Sequence, residues 1–199
     1  MILTYHGGDF VRAQSGDTIV AVNPISKTSK LKTTKFGADI ALISENNPDM
    51  NGIEEVTFGN KVPFVANGPG EYEIKDIFVK GFFSNGGAKI NTIYSVLFDG
   101  IHLCFLGALK EDALSDEAVE SLTDIDILFV PVGDTLAPSK AYKLAVSLEP
   151  KLIIPLGVDA SIKTFLKEAG ETAAEKTEKL TLKKKDLEGK EGDIIILTS

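Results

Sequence analysis

The side chains of this protein that could do chemistry are concentrated in one short loop, S-E-N-N-P-D-M-N-G at positions 44–52. The loop follows an apolar run, residues 41–43, that is typical of a buried strand, and it leads into a short helical stretch. α/β proteins usually place their ligands at the carboxyl end of such a strand. Glu45, Asn47 and Asp49 give the loop oxygen atoms that could bind or react, but the loop contains no His and no Cys.

Three roles for these oxygen atoms are open from the sequence. Glu45 and Asp49 could act as a general acid and a general base, with His6 as a further candidate catalytic residue. Together with Asn47 they could instead hold a hard divalent cation such as Mg²⁺, Mn²⁺ or Ca²⁺ weakly. In the structural alternative, Asp49 caps the helical stretch that follows, and Asn47 with Pro48 shapes the turn.

Catalysis by a histidine-activated nucleophile is restricted to two positions, because His6 and His102 are the two histidines of the chain. Such catalysis needs a Ser or Cys within hydrogen-bond reach of the imidazole, and a third group that orients the ring. Cys104 shares one face of a predicted strand with His102, and same-face neighbours lie ~7 Å apart, too far for direct proton transfer. We therefore expect Cys104 in the core and His102 at the surface or in a cross-strand contact.

The composition is that of a globular protein and narrows the choice of partner. The 199 residues, 43% hydrophobic and 25% charged, suffice for a full core, and we expect a single domain over 1–199. The net charge of −8, from 21 Lys and Arg against 29 Asp and Glu, weighs against a nucleic-acid partner. A small molecule or another protein is the expected partner, and action through a homo-oligomer interface stays open.

The sequence also predicts a cytoplasmic protein without a membrane partner. No apolar stretch approaches the ~20 residues that a membrane-spanning helix needs. The opening residues, MILTYHGGDF, have neither the basic nor the apolar segment of a secretory signal. With Cys104 as the single cysteine, an intrachain disulfide and a four-cysteine zinc site are both excluded.

The hydrophobic period changes between the two halves of the chain. The first half predicts short strands at 2–6, 9–13, 18–22, 39–43, 54–58, 63–65, 71–75, 77–83, 91–98 and 101–106. The second half predicts helices at 115–122, 138–148 and 159–169 that alternate with strands at 125–132, 151–157 and 193–198. The polar stretch 170–179 is expected to be mobile. This order predicts an α/β fold of packed β-sheets with helices outside.

Several motifs carry a resemblance to a known family. L-T-Y-H-G-G-D-F (3–10) matches its opening strand, and the loop at 44–52 lies where the family has (S/T)-H-x-H-x-D-H-x-G. D-I-D-I-L-F-V-P-V-G (124–133) and P-K-L-I-I-P-L-G-V (150–158) match two later strands in wording and in order. The chain thus resembles the metallo-β-lactamase fold, in particular the short bacterial Zn-dependent hydrolase branch that includes ascorbate-6-phosphate-lactonase-like proteins. The resemblance implies an αββα sandwich of two packed mixed β-sheets with helices on the outer faces.

The same correspondence implies that the metal ligands of the family are lost. Its metal-ligand positions fall, in chain order, on or near Glu45, Asn47, Asp49, Met50, Phe83, Ala108 and Gly157. Among these, Asp49 alone keeps the residue type of the family. Catalytic zinc wants about three side-chain ligands and an open position for water, and the side chains of Met, Phe, Ala and Gly do not supply them. No cofactor is therefore expected, and a weakly bound divalent cation at Glu45, Asn47 and Asp49 is the alternative.

Two functions follow from the resemblance. The first is a non-catalytic pseudo-hydrolase whose cleft binds a ligand or a partner. The alternative is a divergent metal-dependent hydrolase of a phosphoester or lactone that uses Glu45, Asn47 and Asp49. Convergence of Glu45 and Asp49 with a further acceptor or with His6 in an open cleft would favour the hydrolase. An Asp49 carboxylate directed at the N–H groups of its own helix would favour the binding module.

Overall fold

The computed structural model of the protein describes residues 1–85, 87, 89–111, 113–171 and 174–199. Its strands are β1 (Ile2–Tyr5), β2 (Val11–Ser15), β3 (Thr18–Val22), β4 (Ile40–Leu42), β5 (Phe64–Ala66), β6 (Gly70–Ile74), β7 (Ile77–Asn85), β8 (Ile90–Phe98), β9 (Ile101–Phe105), β10 (Ile127–Pro131), β11 (Leu152–Leu156), β12 (Glu175–Thr177), β13 (Lys179–Thr181) and β14 (Asp193–Leu197). The α-helices are α1 (Asp116–Ser121), α2 (Pro138–Ser147) and α3 (Asp159–Glu168), and 3₁₀ helices span Ile53–Glu55 and Lys184–Leu187.

The described strands form two mixed sheets. The first is six-stranded, in the order β13-β1-β2-β3-β4-β5, and its β3, β4 and β5 are parallel. The second is eight-stranded, in the order β12-β14-β11-β10-β9-β8-β7-β6. It is antiparallel from β6 to β9 and parallel from β9 to β12. Consecutive strands β12 and β13 are separated by Glu178 alone, yet each forms the edge of a different sheet.

The two sheets pack face to face across one apolar core. Leu3 and Leu42 of the first sheet belong to the same buried cluster as Val96 and Phe129 of the second. The α-helices cover the outer face of the second sheet, where Phe165 is fully buried. The outer face of the first sheet is covered by the irregular segment after β3 and by the first 3₁₀ helix, around a smaller cluster. The predicted α/β sandwich of two packed mixed sheets is confirmed.

The three predicted helices are confirmed to within two residues at each end. The Oγ of Ser115 accepts the N–H of Ala118 at 3.2 Å and so caps α1, as its position before the acidic first turn predicts. Pro138 opens α2 at the position where its missing N–H costs no helical hydrogen bond. The described helices fall short of the length and apolar character that a membrane span demands.

One prediction about secondary structure is wrong, and one strand lies where none is predicted. The predicted strand at 54–58 begins inside the first 3₁₀ helix, because the N–H groups of Glu55 and Val56 donate to the carbonyls of Gly52 and Ile53, at 3.0 and 3.1 Å. The sequence predicts no strand in the polar stretch 170–179. The structure has β12 there, and β12 pairs in parallel with β14. The expectation of mobility for this stretch includes residues 172 and 173, which lie outside the described residues.

Candidate functional site

The loop at 44–52 is fixed to both sheets at its first residue. Asn23, at the end of β3, adopts a positive φ of 53°, and its Oδ1 accepts the N–H of Ser44 at 2.8 Å. The carbonyl of Ser44 accepts the N–H of Thr92, on β8 of the second sheet, at 2.8 Å. The loop therefore lies where the sheets meet, at the carboxyl end of β4, as the sequence predicts.

The oxygen atoms of Glu45 and Asn47 are engaged with N–H donors. Glu45 is buried, its Oε1 accepts the Nδ2–H of Asn47 at 2.7 Å, and the ammonium of Lys89 lies 3.6 Å from the same oxygen. The Oδ1 of Asn47 accepts the backbone N–H of Asp49 at 2.8 Å, so the prediction that Asn47 shapes the turn is confirmed. A cation at Oε1 of Glu45 would compete with the amide of Asn47 and the ammonium of Lys89.

Asp49 does not cap a helix, so that prediction is wrong. The 3₁₀ helix begins at Ile53, with Gly52 as its N-cap residue and without a side-chain cap. The exposed Asp49 carboxylate instead accepts the Oγ–H of Ser29 at 2.5 Å. The distance along the chain is the reason, because the side chain of Asp49 lies too far upstream to reach the first free N–H groups of that helix. Asp49 thus ties the loop to the irregular segment after β3.

A third carboxylate, which sequence reasoning missed, lies close to these two. Asp9, in the turn between β1 and β2, is mostly buried. Burial raises the pKa of Asp9 to about 7, with further contributions from the negative charges of Asp49 and Glu45. The position of Asp9 before Phe10 in the opening motif gave no chemical reason to pair it with a loop 35 or more residues away. The loop therefore faces an acid that is partly protonated near neutral pH.

His6 belongs to an aromatic cluster. Its ring lies 4.9 Å from the ring of Phe10 and 5.7 Å from that of Phe36, centroid to centroid. Burial lowers the pKa of His6, and the positive charge of Arg12 lowers it further. Within the described residues its Nε2 is buried without a hydrogen-bond partner, and His6 makes no hydrogen bond or ion pair with Glu45 or Asp49. His6 lines a separate cavity of about 250 Å³ together with Tyr5, Gly8 and Leu31.

The other positions that match family ligands differ in their surroundings. Met50 and Ala108 are buried, whereas Phe83 is 57% exposed near the end of β7. Gly157 follows β11 and leaves no room for a side chain, because a Cβ there would lie 2.2 Å from the carbonyl oxygen of Val132. A histidine at position 157 would therefore require the backbone to move.

A buried amide fills the space between the ends of β7, β8 and β9. The Nδ2 of Asn91 donates to the Oγ of Ser84 at 2.7 Å and to the carbonyl of Leu106 at 2.9 Å. Its Oδ1 accepts the N–H of Ala108 at 2.8 Å. Asn91 is fully buried, so these bonds satisfy groups that water cannot reach. Sequence reasoning missed Asn91, because it stands in an ordinary alternating strand and its partners follow from strand register.

These residues do not fit the zinc centre that the fold family implies. Across the described ranges, no group of three or more His, Cys, Asp or Glu side chains is placed to hold a metal ion. The amide of Asn91 binds the backbone beside Ala108, and Gly157 has no space for a ligand. The three hydrogen bonds of Asn91 and those of Glu45 and Asn47 are made without a metal.

A cleft of about 480 Å³ opens beside the loop. Its lining residues are Ser44, Asn46, Asn67, Gly68, Pro69, Lys89, Ile90 and Thr92. The Oγ of Ser44 is buried without a hydrogen-bond partner in the described structure, and Ile90 is 60% exposed. The cleft thus combines amides, hydroxyls and one ammonium with an apolar lip, a lining suited to a small polar molecule.

The comparisons with known proteins agree with this architecture. The sequence model of the family described as "Beta-lactamase superfamily domain" matches residues 2–157. A comparison with curated proteins finds no match.

Solved structures with low sequence identity have the same fold. A Thermotoga maritima protein described as a Zn-dependent hydrolase of the metallo-β-lactamase superfamily has a TM-score of 0.81 and 24% identity, over 98% of this chain and 97% of its own. A Parabacteroides distasonis protein described as a metal-dependent hydrolase has a TM-score of 0.69 and 18% identity, over 98% and 93%. The metallo-β-lactamase fold protein YhfI from Bacillus subtilis has a TM-score of 0.62 and 11% identity, over 100% and 96%.

Proposed function

Since the chain belongs to the β-lactamase superfamily, we propose that it is a pseudo-hydrolase, non-catalytic at the position of the family's metal site, whose cleft binds a small molecule or a protein segment. The fold places a cleft at the carboxyl ends of the strands, as in ligand-binding α/β proteins. In the proposed function the protein uses this cleft for binding and needs no metal there. The net charge of −8 accords with a partner other than nucleic acid, and the proposed location is the cytoplasm.

The observation that supports the proposal best is the hydrogen-bond network of Asn91. It occupies the end of β9, where the bridging aspartate of the family corresponds to Ala108, and each of its three bonds joins a donor to an acceptor. A metal there would need ionised or imidazole ligands, and it would leave the amide partners of Asn91 unpaired at a cost of about 1–3 kcal/mol each.

The test is metal content, measured by elemental analysis on protein purified without an affinity tag or a chelator. The measurement is repeated after incubation with Zn²⁺, Mn²⁺ and Mg²⁺. We expect less than ~0.1 equivalent of each metal, a working cut-off for a site that needs several protein ligands. The Glu45→Ala and Asp49→Ala variants should give the same values as the native chain. One or two equivalents, lost in either variant, would contradict the proposal.

Ligand binding in the cleft is tested separately by thermal unfolding against a library of small polar molecules. A compound that raises Tm for the native chain should lose its effect in Lys89→Ala, since Lys89 lines the cleft. Lys163→Ala serves as the matched control, because Lys163 lies on α3 and lines a different cavity. Equal loss of the effect in both variants would place the compound elsewhere.

A divergent hydrolase is a second candidate, and Asp9 favours it. General acid and base catalysis is most efficient when the pKa of the group lies near the operating pH, and the pKa of Asp9 is about 7 beside Glu45 and Asp49. The substrates to try are phosphoesters and lactones. Turnover that Asp9→Asn abolishes and Asp76→Asn leaves intact would support this candidate, and turnover unaffected by Asp9→Asn would exclude Asp9 as its base.

A further inference from the structure

A serine and a histidine lie in contact on the outer face of the second sheet, away from the cleft. Ser95 is on β8 and His102 on the neighbouring antiparallel strand β9. The Oγ of Ser95 lies 2.6 Å from the Nε2 of His102. Both residues are partly buried, so the pair is neither sealed in the core nor freely solvated.

The surroundings of His102 fix which nitrogen can act as a base. Its Nδ1 lies 3.3 Å from the backbone carbonyl of Asp124, which has a positive φ of 55°. A carbonyl can only accept, so a hydrogen bond there requires the proton on Nδ1 and leaves Nε2 of the neutral ring as an acceptor. The backbone N–H of His102 donates to the buried Asp126 at 2.8 Å, which holds this part of the strand in place. The ring is therefore oriented with its basic nitrogen toward the hydroxyl of Ser95.

Ser95 lines a groove of about 310 Å³ with apolar and charged walls. Phe78 and Leu97 face each other across β7 and β8, and they are 49% and 43% exposed. Lys80 lies directly opposite Ser95 in the strand register, with its ammonium 3.2 Å from Glu71. The groove thus places an apolar surface beside the hydroxyl, while the Lys80 ammonium binds Glu71 and Ser121.

We infer that Ser95 and His102 form a metal-independent nucleophilic site for activated esters with small apolar acyl groups. Ser95 Oγ attacks the carbonyl carbon while His102 Nε2 takes the hydroxyl proton, and the carbonyl oxygen becomes the oxyanion of a tetrahedral intermediate. The bond to the leaving oxygen then breaks, and the proton on Nε2 passes to that oxygen, which leaves as an alcohol. Ser95 is left acylated. Water attacks the acyl group and gives a proton to Nε2, the bond between the acyl carbon and Ser95 Oγ breaks, and the proton on Nε2 passes to Oγ. Ester and water thus yield acid and alcohol.

The first experiment uses an alkyl fluorophosphonate, which transfers its phosphonyl group to an activated serine with loss of fluoride. The native chain is treated in the presence of a chelator, and the modified residue is located by peptide mass spectrometry. We expect modification at Ser95, none at this position in Ser95→Ala, and a rate reduced by about 100-fold in His102→Gln, as general-base removal predicts. Ser147→Ala is the matched control, because Ser147 is an exposed serine whose hydroxyl donates to a carbonyl without an imidazole.

The result has two readings. Modification of Ser95 that requires His102 supports the inference, and release of p-nitrophenol from p-nitrophenyl acetate should follow the same order among the variants. A native chain that stays unmodified under conditions where a serine esterase reacts fully would overturn it. Equal reactivity of the native chain and His102→Gln would do the same. Thermal unfolding of each variant, together with Ser95→Thr, which keeps the hydroxyl, separates lost chemistry from lost folding.

Discussion

The two ends of the second sheet are held by different kinds of polar contact. At the carboxyl end of β9, the neutral amide of Asn91 makes three hydrogen bonds in a fully buried place. At the amino end of β10, the fully buried carboxylate of Asp126 binds the ammonium groups of Lys151 and Lys184 and the N–H of His102. Charge needs compensating charge in a buried place, whereas an amide needs only donors and acceptors. The buried contacts of Asn91 at the carboxyl end of β9 are therefore made by uncharged groups.

Asp126→Ala removes the ionic contacts at the amino end of β10, and it should give the largest change in stability. We expect the free energy of unfolding to fall by about 3 kcal/mol, because the N–H of His102 loses its buried acceptor and the partly exposed ammonium groups of Lys151 and Lys184 lose their counter-charge. Burial opposes ionisation of Asp126, but the His102 N–H and the two lysines outweigh it and hold its pKa below the ordinary value.

The stabilisation by Asp126 is thus present above the unfolded pKa of ~3.9 and is lost as the pH falls through the folded pKa. Chemical denaturation at pH 7 and at pH 3 should show a smaller loss at pH 3. The control is Asp193→Asn, which removes an exposed pair with Lys190. If Asp126→Ala lowers the free energy of unfolding no more than this control does, the ionic contacts of Asp126 do not stabilise the amino end of β10.

Asn91→Ala removes the neutral hydrogen bonds at the carboxyl end of β9. The substitution leaves the N–H of Ala108 and the carbonyl of Leu106 unpaired, and we expect a loss of about 2 kcal/mol in the free energy of unfolding, with little dependence on pH. Asn85→Ala on the same hairpin is the control, because its exposed amide donates to Glu111 and accepts the N–H of Gly87, both at the surface. A strongly pH-dependent loss in Asn91→Ala would mean that ionised groups hold this end as well.

Asp9→Asn tests a carboxyl group whose effect on stability depends on pH with the sign opposite to that of Asp126. Because burial raises the pKa of Asp9 to about 7, the folded chain keeps a proton there that the unfolded chain releases above pH ~3.9, so stability falls as pH rises through this window. The amide avoids that cost. We expect Asp9→Asn to gain about 1–2 kcal/mol at pH 8 and close to nothing at pH 4, by thermal or chemical unfolding. A gain that is equal at both pH values would show that ionisation of Asp9 is not its source.

Glu45→Gln should have the smallest effect. The ammonium of Lys89 lies 3.6 Å from Glu45 and is 49% exposed, so the pair contributes less than about 1 kcal/mol, and a glutamine oxygen can still accept from Asn47. Chemical denaturation at low and high salt measures the change. A loss of several kcal/mol would mean that the cleft depends on charge as the other end does.

Features set by neighbouring residues could be predicted from the sequence, and features set by strand register could not. The Ser115 cap, the Pro138 start and the place of the 44–52 loop depend on residues a few positions apart. The alternation of polar and apolar residues at 54–58 fits both a strand and a 3₁₀ turn. In the structure the 3₁₀ turn buries Val56, and the backbone N–H of Val56 donates to the carbonyl of Ile53.

The contacts that hold or activate the polar groups were beyond sequence reasoning. Asn91 meets Ala108, and Ser95 meets His102, through hairpin registers that one sequence does not determine. A histidine-activated nucleophile requires a hydroxyl or thiol near the imidazole, and the structure identifies Ser95 as the residue that supplies it. The pairing of Asp9 with the loop likewise depends on how β1 and β4 lie in one sheet.

The segment that forms β12 and β13 has a consequence for aggregation. Because Glu178 alone separates these strands, one short stretch covers the edge of β14 in one sheet and the edge of β1 in the other. Its local opening would expose two strand edges at once, each a template for pairing with another chain. Amide hydrogen exchange should therefore detect β12 and β13 as one opening unit. While β12 and β13 are paired, they are themselves the exposed edges of the two sheets. The alternating charges of their residues hinder pairing with another chain; these residues are Glu175, Lys176, Glu178 and Lys179.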